Sequence, residues 1–371
     1  MRLNAVSIEG YRSVRRLYLT IGELSVFIGG NGVGKTNLYH ALGLLQAAAQ
    51  GGITRAIAQE GGVDSVLWAG RRTKGKPVRL ILRAHFDSIA YGIEIGLPGF
   101  TEAAFALEPR IKEERLVLRQ GRRDVVMMER KNAVVMLRNA DGARETLPDA
   151  VLPSESALAA FRDAARYPEL EIVRRELLDW RLYHDFRTDA AAPVRQPCYA
   201  ITTPTLSADG SDLAAVLATL SVVREDVVEL RRAIDDAFPG ATLTARDRGS
   251  WCDLGMAFAD MPQRTFRARE LSDGTLKYLC LLGALMGYRL PTLIALNEPE
   301  ASLHPALLTP LARMIARAAE RTRVWIVTHS QVLADALEAE AGAKPRRVVK
   351  LDGETRIEGL KLSGEFAEDE D

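Results

Sequence analysis

Eight consecutive residues, Gly29-Gly30-Asn31-Gly32-Val33-Gly34-Lys35-Thr36, fit the phosphate-loop pattern GxxxxGK[ST]. Glycines let successive backbone N–H groups turn inward around a polyphosphate, an approach that a side chain blocks. Lys35 has the reach for β- and γ-phosphates, and the Thr36 hydroxyl can ligate Mg²⁺. Gly29, Asn31, Gly32, Gly34, Lys35, Thr36 and Asn37 are therefore the expected nucleotide-lining positions.

Three more polar clusters lie downstream. Leu271-Ser272-Asp273-Gly274-Thr275 opens an apolar helical run, Leu276 to Leu282. An apolar stretch, Leu293-Ile294-Ala295-Leu296, ends in Asn297-Glu298-Pro299-Glu300, and Val324-Trp325-Ile326-Val327 runs into Thr328-His329-Ser330. These apolar stretches read as buried strands, as does Leu24-Ser25-Val26-Phe27-Ile28 ahead of the loop. Asn37 to Leu42 read as the start of a helix whose positive dipole end faces the loop. Open α/β sheets place ligands at the carboxyl ends of their strands, which is where Glu298 and His329 fall. Blander roles compete: Glu298 as a solvated acid in a first helical turn, His329 as an ordinary strand-end histidine. His304-Pro305 reads as a helix start.

The order of phosphate loop, LSxG, strand plus Glu-Pro, and strand plus Thr-His-Ser resembles the ATP-binding-cassette class of ATPases. Within it the chain is similar to the RecF/SMC/OLD-type group and the soluble AAA_21-like predicted ATPases. Val6-Ser7-Ile8-Glu9-Gly10-Tyr11-Arg12-Ser13 and Leu206-Ser207-Ala208-Asp209-Gly210-Ser211-Asp212-Leu213 resemble that group too. The resemblance covers roughly residues 1–70 and 200–350. It implies two heads that close around ATP and Mg²⁺ as an ATP-dependent homodimer. Ser272 and Gly274 of one head would touch the γ-phosphate on the other's loop, where a helix N-terminus suits an anion. Glu298 would be the general base and His329 the γ-phosphate sensor. Thr36 and the residue before Glu298 would hold the Mg²⁺ shell, and Ser302-Leu303-His304 falls where the family places an interface-crossing loop.

One position departs from that pattern. The family carries Asp before the catalytic Glu; this chain has Asn297, whose amide oxygen still accepts from a metal-bound water but brings no charge. Three explanations stand side by side: a natural slow ATPase, a nucleotide-gated switch that rarely hydrolyses, or an introduced trapping substitution.

The implied fold class is α/β, a P-loop cassette-ATPase head with an antiparallel β subdomain and a helical subdomain. The expected divisions are 1–76 (first part of the core), 77–150 (antiparallel β), 151–240 (helical), 241–362 (second part of the core) and 363–371 (acidic tail). Alternation from Pro77 to Leu97, and turns at Gln120-Gly121 and Ala140-Asp141-Gly142, predict the hairpins of the β part. Residues 1–50 are expected to give two strands before the first helix. Residues 154–181 read as helical with Ser154 as cap, residues 211–237 as a second helical block capped by Ser211 or Asp212, and 241–270 as strands. Asp352-Gly353 is expected to turn a final β pair.

Of 371 residues, 47% are hydrophobic, ample for a large core, and 49 basic residues balance 49 acidic ones. That balance gives no global attraction to DNA or membrane. Cys198, Cys252 and Cys280 are odd in number and far apart, which suits free thiols in a reducing cytoplasm. His40, His85 and His184 lack metal-ligand spacing and read as structural. With no signal core and no long apolar stretch, the chain is expected to be cytoplasmic and free of the membrane. Sustained heptads for coiled-coil arms are missing, and the chain ends too soon after His329 for a nuclease domain. Beyond ATP three roles remain open. The first is DNA repair or genome maintenance on double-stranded DNA, through the basic clusters Arg12–Arg16, Arg71–Lys76 and Arg119–Arg123. The others are control of a separate effector protein, as in phage defence, and a non-hydrolysing switch.

Overall fold

The computed structural model describes residues 1–71, 78–97, 105, 107–121, 123–222 and 224–367. In chain order the first elements are β1 (Leu3–Tyr11), β2 (Val14–Thr20), β3 (Leu24–Ile28), α1 (Lys35–Gln50), α2 (Ile53–Gln59) and α3 (Val63–Val66). Next come β4 (Arg79–Phe86), β5 (Ile89–Gly96), β6 (Arg110–Gln120), β7 (Arg123–Lys131), β8 (Val134–Arg138), β9 (Arg144–Leu147), α4 (Ala157–Ala160) and α5 (Pro168–Asp179). They are followed by β10 (Arg181–Tyr183), β11 (Cys198–Tyr199), α6 (Leu213–Leu220), α7 (Arg224–Ala237), β12 (Thr242–Arg248), β13 (Trp251–Ala257), β14 (Phe266–Arg267) and α8 (Asp273–Met286). The last are β15 (Leu293–Asn297), α9 (Leu308–Ala319), β16 (Arg323–Thr328), α10 (Gln331–Ala341), β17 (Arg346–Leu351) and β18 (Glu354–Ile357).

The chain divides into two compact units. The first holds residues 1–22, 29–180 and 346–371. Its antiparallel sheet runs β2-β1-β4-β5-β6-β7-β8-β9. Strict alternation explains β4, where Leu80, Leu82, Ala84 and Phe86 are buried between half-exposed neighbours. The turns at Gly121 and Gly142 carry positive φ where they were expected, although Arg122 lies outside the described residues. The β17–β18 hairpin turns on Asp352-Gly353 as predicted.

The second unit holds residues 23–28 and 181–345. Four parallel strands pair in the order β10-β15-β16-β3. All five residues of β15 are buried, and the first four, Leu293 to Leu296, form the continuous apolar run expected of a parallel strand covered on both faces. A second, antiparallel sheet pairs β13 with β11, β12 and β14. α8 and α9 pack in one core with Leu276, Leu279, Leu311 and Ile315. The three cysteines are free thiols.

Several local expectations are corrected. Residues 1–50 contain three strands, because Val14, Leu17 and Leu19 bury one side of β2 while Arg15 and Arg16 stay exposed. Residues 154–181 are two helices: Asp163 Oδ1 accepts from the N–H groups of Ala165 and Arg166, a local turn, and Pro168 starts α5. Ser156, not Ser154, caps α4 through Ala159 N–H. Asp212 precedes α6 but does not cap it; its Oδ1 accepts from Ser207 N–H and Oγ–H instead. Of the basic clusters, Arg72–Lys76 lie outside the described residues. Among the described residues no helix is long and apolar enough to cross a membrane.

Candidate nucleotide site

The phosphate loop belongs to the first unit. Gly32 and Gly34 adopt φ of 76° and 98°, which L side chains rarely reach. A Cβ on Gly34 would collide with Thr355 Oγ1 and Ser13 Oγ, and one on Gly29 with the Val348 carbonyl. A Cβ built at position 30 or 32 would meet nothing within 4 Å among the described residues. Gly34 is also the N-cap of the 16-residue α1, and no side-chain hydrogen bond caps that end. The first amides of α1 thus stand ready for an anion. Lys35, 4% exposed, donates through Nζ to the carbonyls of Gly29 and Gly30 at 2.7 Å each.

Distant residues hold this loop, and sequence reasoning missed them. Thr355 Oγ1 donates to the Val33 carbonyl at 2.8 Å and pairs with Ser13 Oγ at 2.7 Å. Asn37 Nδ2 donates to Ser13 Oγ at 2.8 Å, which makes Asn37 a brace of the loop as well as an expected lining residue. The turn bearing Ser13 is fixed by Glu60, whose Oε2 accepts from Tyr11 Oη–H at 2.6 Å and Arg12 Nη2–H at 2.7 Å. Burial pushes the Glu60 carboxyl up. Hydrogen bonds from His40 and Tyr11, with the Arg12 charge, outweigh it and hold the group below the usual carboxylate range. Arg12, expected among phosphate-contacting cations, is therefore committed to the fold.

The acidic cluster belongs to the second unit, at the carboxyl ends of its parallel strands. Thr328 pairs with Ile28 and Val327 with Asn297, so β3, β15 and β16 end in register. The residue after Ile28 is Gly29, the start of the phosphate loop. Glu298 takes φ of 48°, rare for a side-chain-bearing residue, and its N–H donates to the Val327 carbonyl at 2.7 Å. Its side chain remains 35% exposed, with Oε1 3.8 Å from His329 Nδ1. Glu300, which carried no assignment from sequence, is buried. Its Oε1 accepts from Thr328 Oγ1–H at 2.5 Å, His329 N–H at 3.0 Å and Ser330 N–H at 3.2 Å, and lies 3.2 Å from His329 Nδ1. Glu300 Oε2 and Asn297 Oδ1 are buried without a hydrogen-bond partner among the described residues. An orphaned amide oxygen at position 297 fits an acceptor for a hydrated Mg²⁺. No group of three or more His, Cys, Asp or Glu among the described residues gathers as a metal cage.

Ser272 and Gly274 stand at the start of α8, also in the second unit. Ser272 Oγ accepts from Thr275 N–H at 3.1 Å and pairs with Thr275 Oγ1 at 2.8 Å. A Cβ on Gly274 would lie 2.9 Å from the Ser302 carbonyl, so only glycine fits without displacement. Ser302 itself has φ of 64°.

A glycine cradle that follows a strand in sequence and opens an uncapped helix, in a chain whose second unit carries a parallel sheet with a Glu at one strand tip, defines a P-loop ATPase. The chain belongs to the family described as "AAA domain, putative AbiEii toxin, Type IV TA system", whose model matches residues 24–335. A comparison with curated proteins finds no match. Among solved structures, one described as "SmcHead bound to the C-winged helix domain of ScpA" shares 13% identity, covers 98% of this chain and 99% of its own, and has a TM-score of 0.53. An Smc head domain with an extended coiled coil, derived from Pyrococcus furiosus and bound to the C-terminal domain of ScpA, gives 12% identity, 98% and 97% coverage, and a TM-score of 0.51. At these identities the likeness establishes the fold: the P-loop ATPase head of the SMC kind.

Proposed function

We propose that this ATPase works as a pair of heads closed around ATP, with Glu298 as general base. Lys35, Thr36 and the loop amides would hold the triphosphate, and Thr36 and Asn297 would hold the Mg²⁺ shell. That cation would neutralise charge on the phosphates as the bond to the γ-phosphoryl group breaks. Glu298 orients the attacking water and accepts its proton, while His329 faces the γ-phosphate. Ser272 and Gly274 act on the nucleotide of the second copy. In this reading 1–76 and 241–362 are the two halves of the core, 77–150 and 151–240 its β and helical additions, and 363–371 a tail.

The observation that carries the proposal is the placement of Glu298. A left-handed backbone and a bond to the Val327 carbonyl aim a half-exposed carboxylate from the tip of β15, next to His329. Glu298→Gln is expected to keep ATP binding and trap an ATP-bound dimer in sedimentation, and Lys35→Ala to abolish binding. A Glu298→Gln protein that binds ATP and stays monomeric would falsify the paired-head reading.

Asn297 lowers the charge at the cation, so turnover is slow. The substrate of the cycle is double-stranded DNA in repair or genome maintenance, with exposed Arg15 and Arg16 among the contacting cations. Stimulation of steady-state ATP hydrolysis by linear duplex DNA, weakening with salt, is the test. A second reading, control of a separate effector protein, is favoured by the toxin–antitoxin wording of the family description. A rate indifferent to DNA but changed by a co-purifying protein would select it, and a rate near zero with tight ATP binding would select a non-hydrolysing switch.

A further inference from the structure

The variable position of Leu271-Ser272-Asp273-Gly274 is an acid. If the start of α8 meets a triphosphate, as the paired-head reading requires, a bare carboxylate there opposes the approach of the anion. The structure supplies a counter-charge from far away in sequence. Arg195, in a short 3₁₀ turn, Pro193–Arg195, donates through Nη2 to Asp273 Oδ1 at 2.6 Å. Its Nη1 donates to the carbonyls of Ala268, Arg269 and Leu271 at 3.1, 3.2 and 2.9 Å. Its Nε donates to the Thr188 carbonyl at 2.7 Å. The Arg195 side chain is only 10% exposed, whereas that of Asp273 is 63% exposed.

This geometry does two things at once. Three carbonyls gathered on one guanidinium nitrogen fix the chain just before Ser272, so that Ser272 and Gly274 start α8 from a set direction. The planar fork also draws the Asp273 carboxylate onto a cation and cancels its charge, which a flexible ammonium would do with less directional control. On the other side the Ser302 carbonyl packs on Gly274, leaving the loop little freedom. We propose that Arg195 is the positioning residue of the signature loop, neutralising Asp273 and presenting Ser272 and Gly274 to the γ-phosphate bound by a second copy. The proposal rests on the paired-head reading.

The experiment measures the ATP-driven dimer affinity of the full chain by sedimentation in the Glu298→Gln background. ATP binding at concentrations too low for dimerisation is followed in parallel. Arg195→Ala is expected to weaken the dimer about tenfold or more while the single copy still binds ATP. Adding Asp273→Asn is expected to recover several-fold of that loss, because the uncompensated charge is gone, and Arg195→Lys to fall between. An Arg195→Ala protein that dimerises as tightly as its parent overturns the proposal. So does a loss that Asp273→Asn leaves unrepaired, since that result makes Arg195 a structural brace only. A Glu298→Gln parent that binds ATP but never dimerises removes the paired-head reading itself, and this inference with it. That outcome is visible before any Arg195 variant is made.

Discussion

Glu114 in the first unit and Glu300 in the second are both buried carboxylates, yet they are treated differently. Glu114 has both oxygens engaged: Oε1 accepts from Tyr91 Oη–H, Ser156 Oγ–H and Leu158 N–H, and Oε2 accepts from Ala157 N–H and faces Arg130 Nη1 at 3.8 Å. Arg130, wholly buried, also donates to the carbonyls of Asn132, Leu152 and Glu155. Burial pulls the Arg130 guanidinium down, and the Glu114 charge opposes that pull. Glu300 instead loads one oxygen with Thr328, the last residue of β16, and the two amides after it, and among the described residues its other oxygen is unpartnered, as is Asn297 Oδ1. A closed network fixes a structure; an open one keeps acceptor capacity in reserve, and buried acceptors are rarely left idle without a use.

The contrast predicts opposite responses. Glu114→Ala strands the buried Arg130 charge and the amides that start α4, so stability should fall by about 3–5 kcal/mol in denaturant titration. ATP affinity of the remaining folded protein should hold. A loss below about 1 kcal/mol would mean that water replaces the carboxylate and the network is not closed. Asn297→Asp places a charge where the described residues offer Oδ1 no donor. Without Mg²⁺ and nucleotide, stability should drop by about 2 kcal/mol. With them the gap should shrink and the hydrolysis rate should rise. An equally large gap with and without Mg²⁺-ATP would remove position 297 from the cation's surroundings.

How much of this was legible in the sequence follows the range of each contact. The phosphate loop could be read because its glycines, Lys35 and Thr36 are contiguous, and strand and helix signals flank them. Its bracing could not: Ser13 and Thr355 are 342 residues apart, and a hydroxyl pair leaves no periodicity. Glu300 was hidden for a different reason. It lies two positions after Glu298 in a run of polar residues, and only the pairing of β15 with β16 shows that it turns inward. Arg12 misled in the other direction, since a basic cluster in sequence does not reveal that Glu60 takes one of its members. Helix length was overread across 154–181, where an Asp163 turn and Pro168 interrupt apolar spacing that looks continuous.

Glu300→Gln separates position from charge in the open cluster. A glutamine oxygen can still accept from Thr328 and the two amides, so stability should change by about 1 kcal/mol or less. The charge-assisted contact to His329 Nδ1 is lost, and turnover should fall about tenfold, equivalent to ~1.4 kcal/mol in the barrier, with KM moving less than kcat. Equal losses in stability and turnover would return Glu300 to the closed class represented by Glu114.

Glu60 gives the smallest effect and the finest test, because it is a closed carboxylate that serves the phosphate loop indirectly through the turn bearing Ser13. Its folded-state carboxyl titrates below the usual range, so it adds stability at pH values above the unfolded-state value of about 4.3. That stability disappears as pH falls through the lower folded-state value. Glu60→Gln should therefore cost about 1 kcal/mol at neutral pH, and the gap to the unmodified protein should close on acidification. Paired denaturant melts from neutral to acid pH read this directly. A gap that stays constant, or widens in acid, would show that Glu60 holds Tyr11 and Arg12 by shape rather than by charge. The turn at Ser13 would then rest on the Thr355 hydroxyl, so that Thr355→Ala, not Glu60→Gln, becomes the variant that loosens ATP binding.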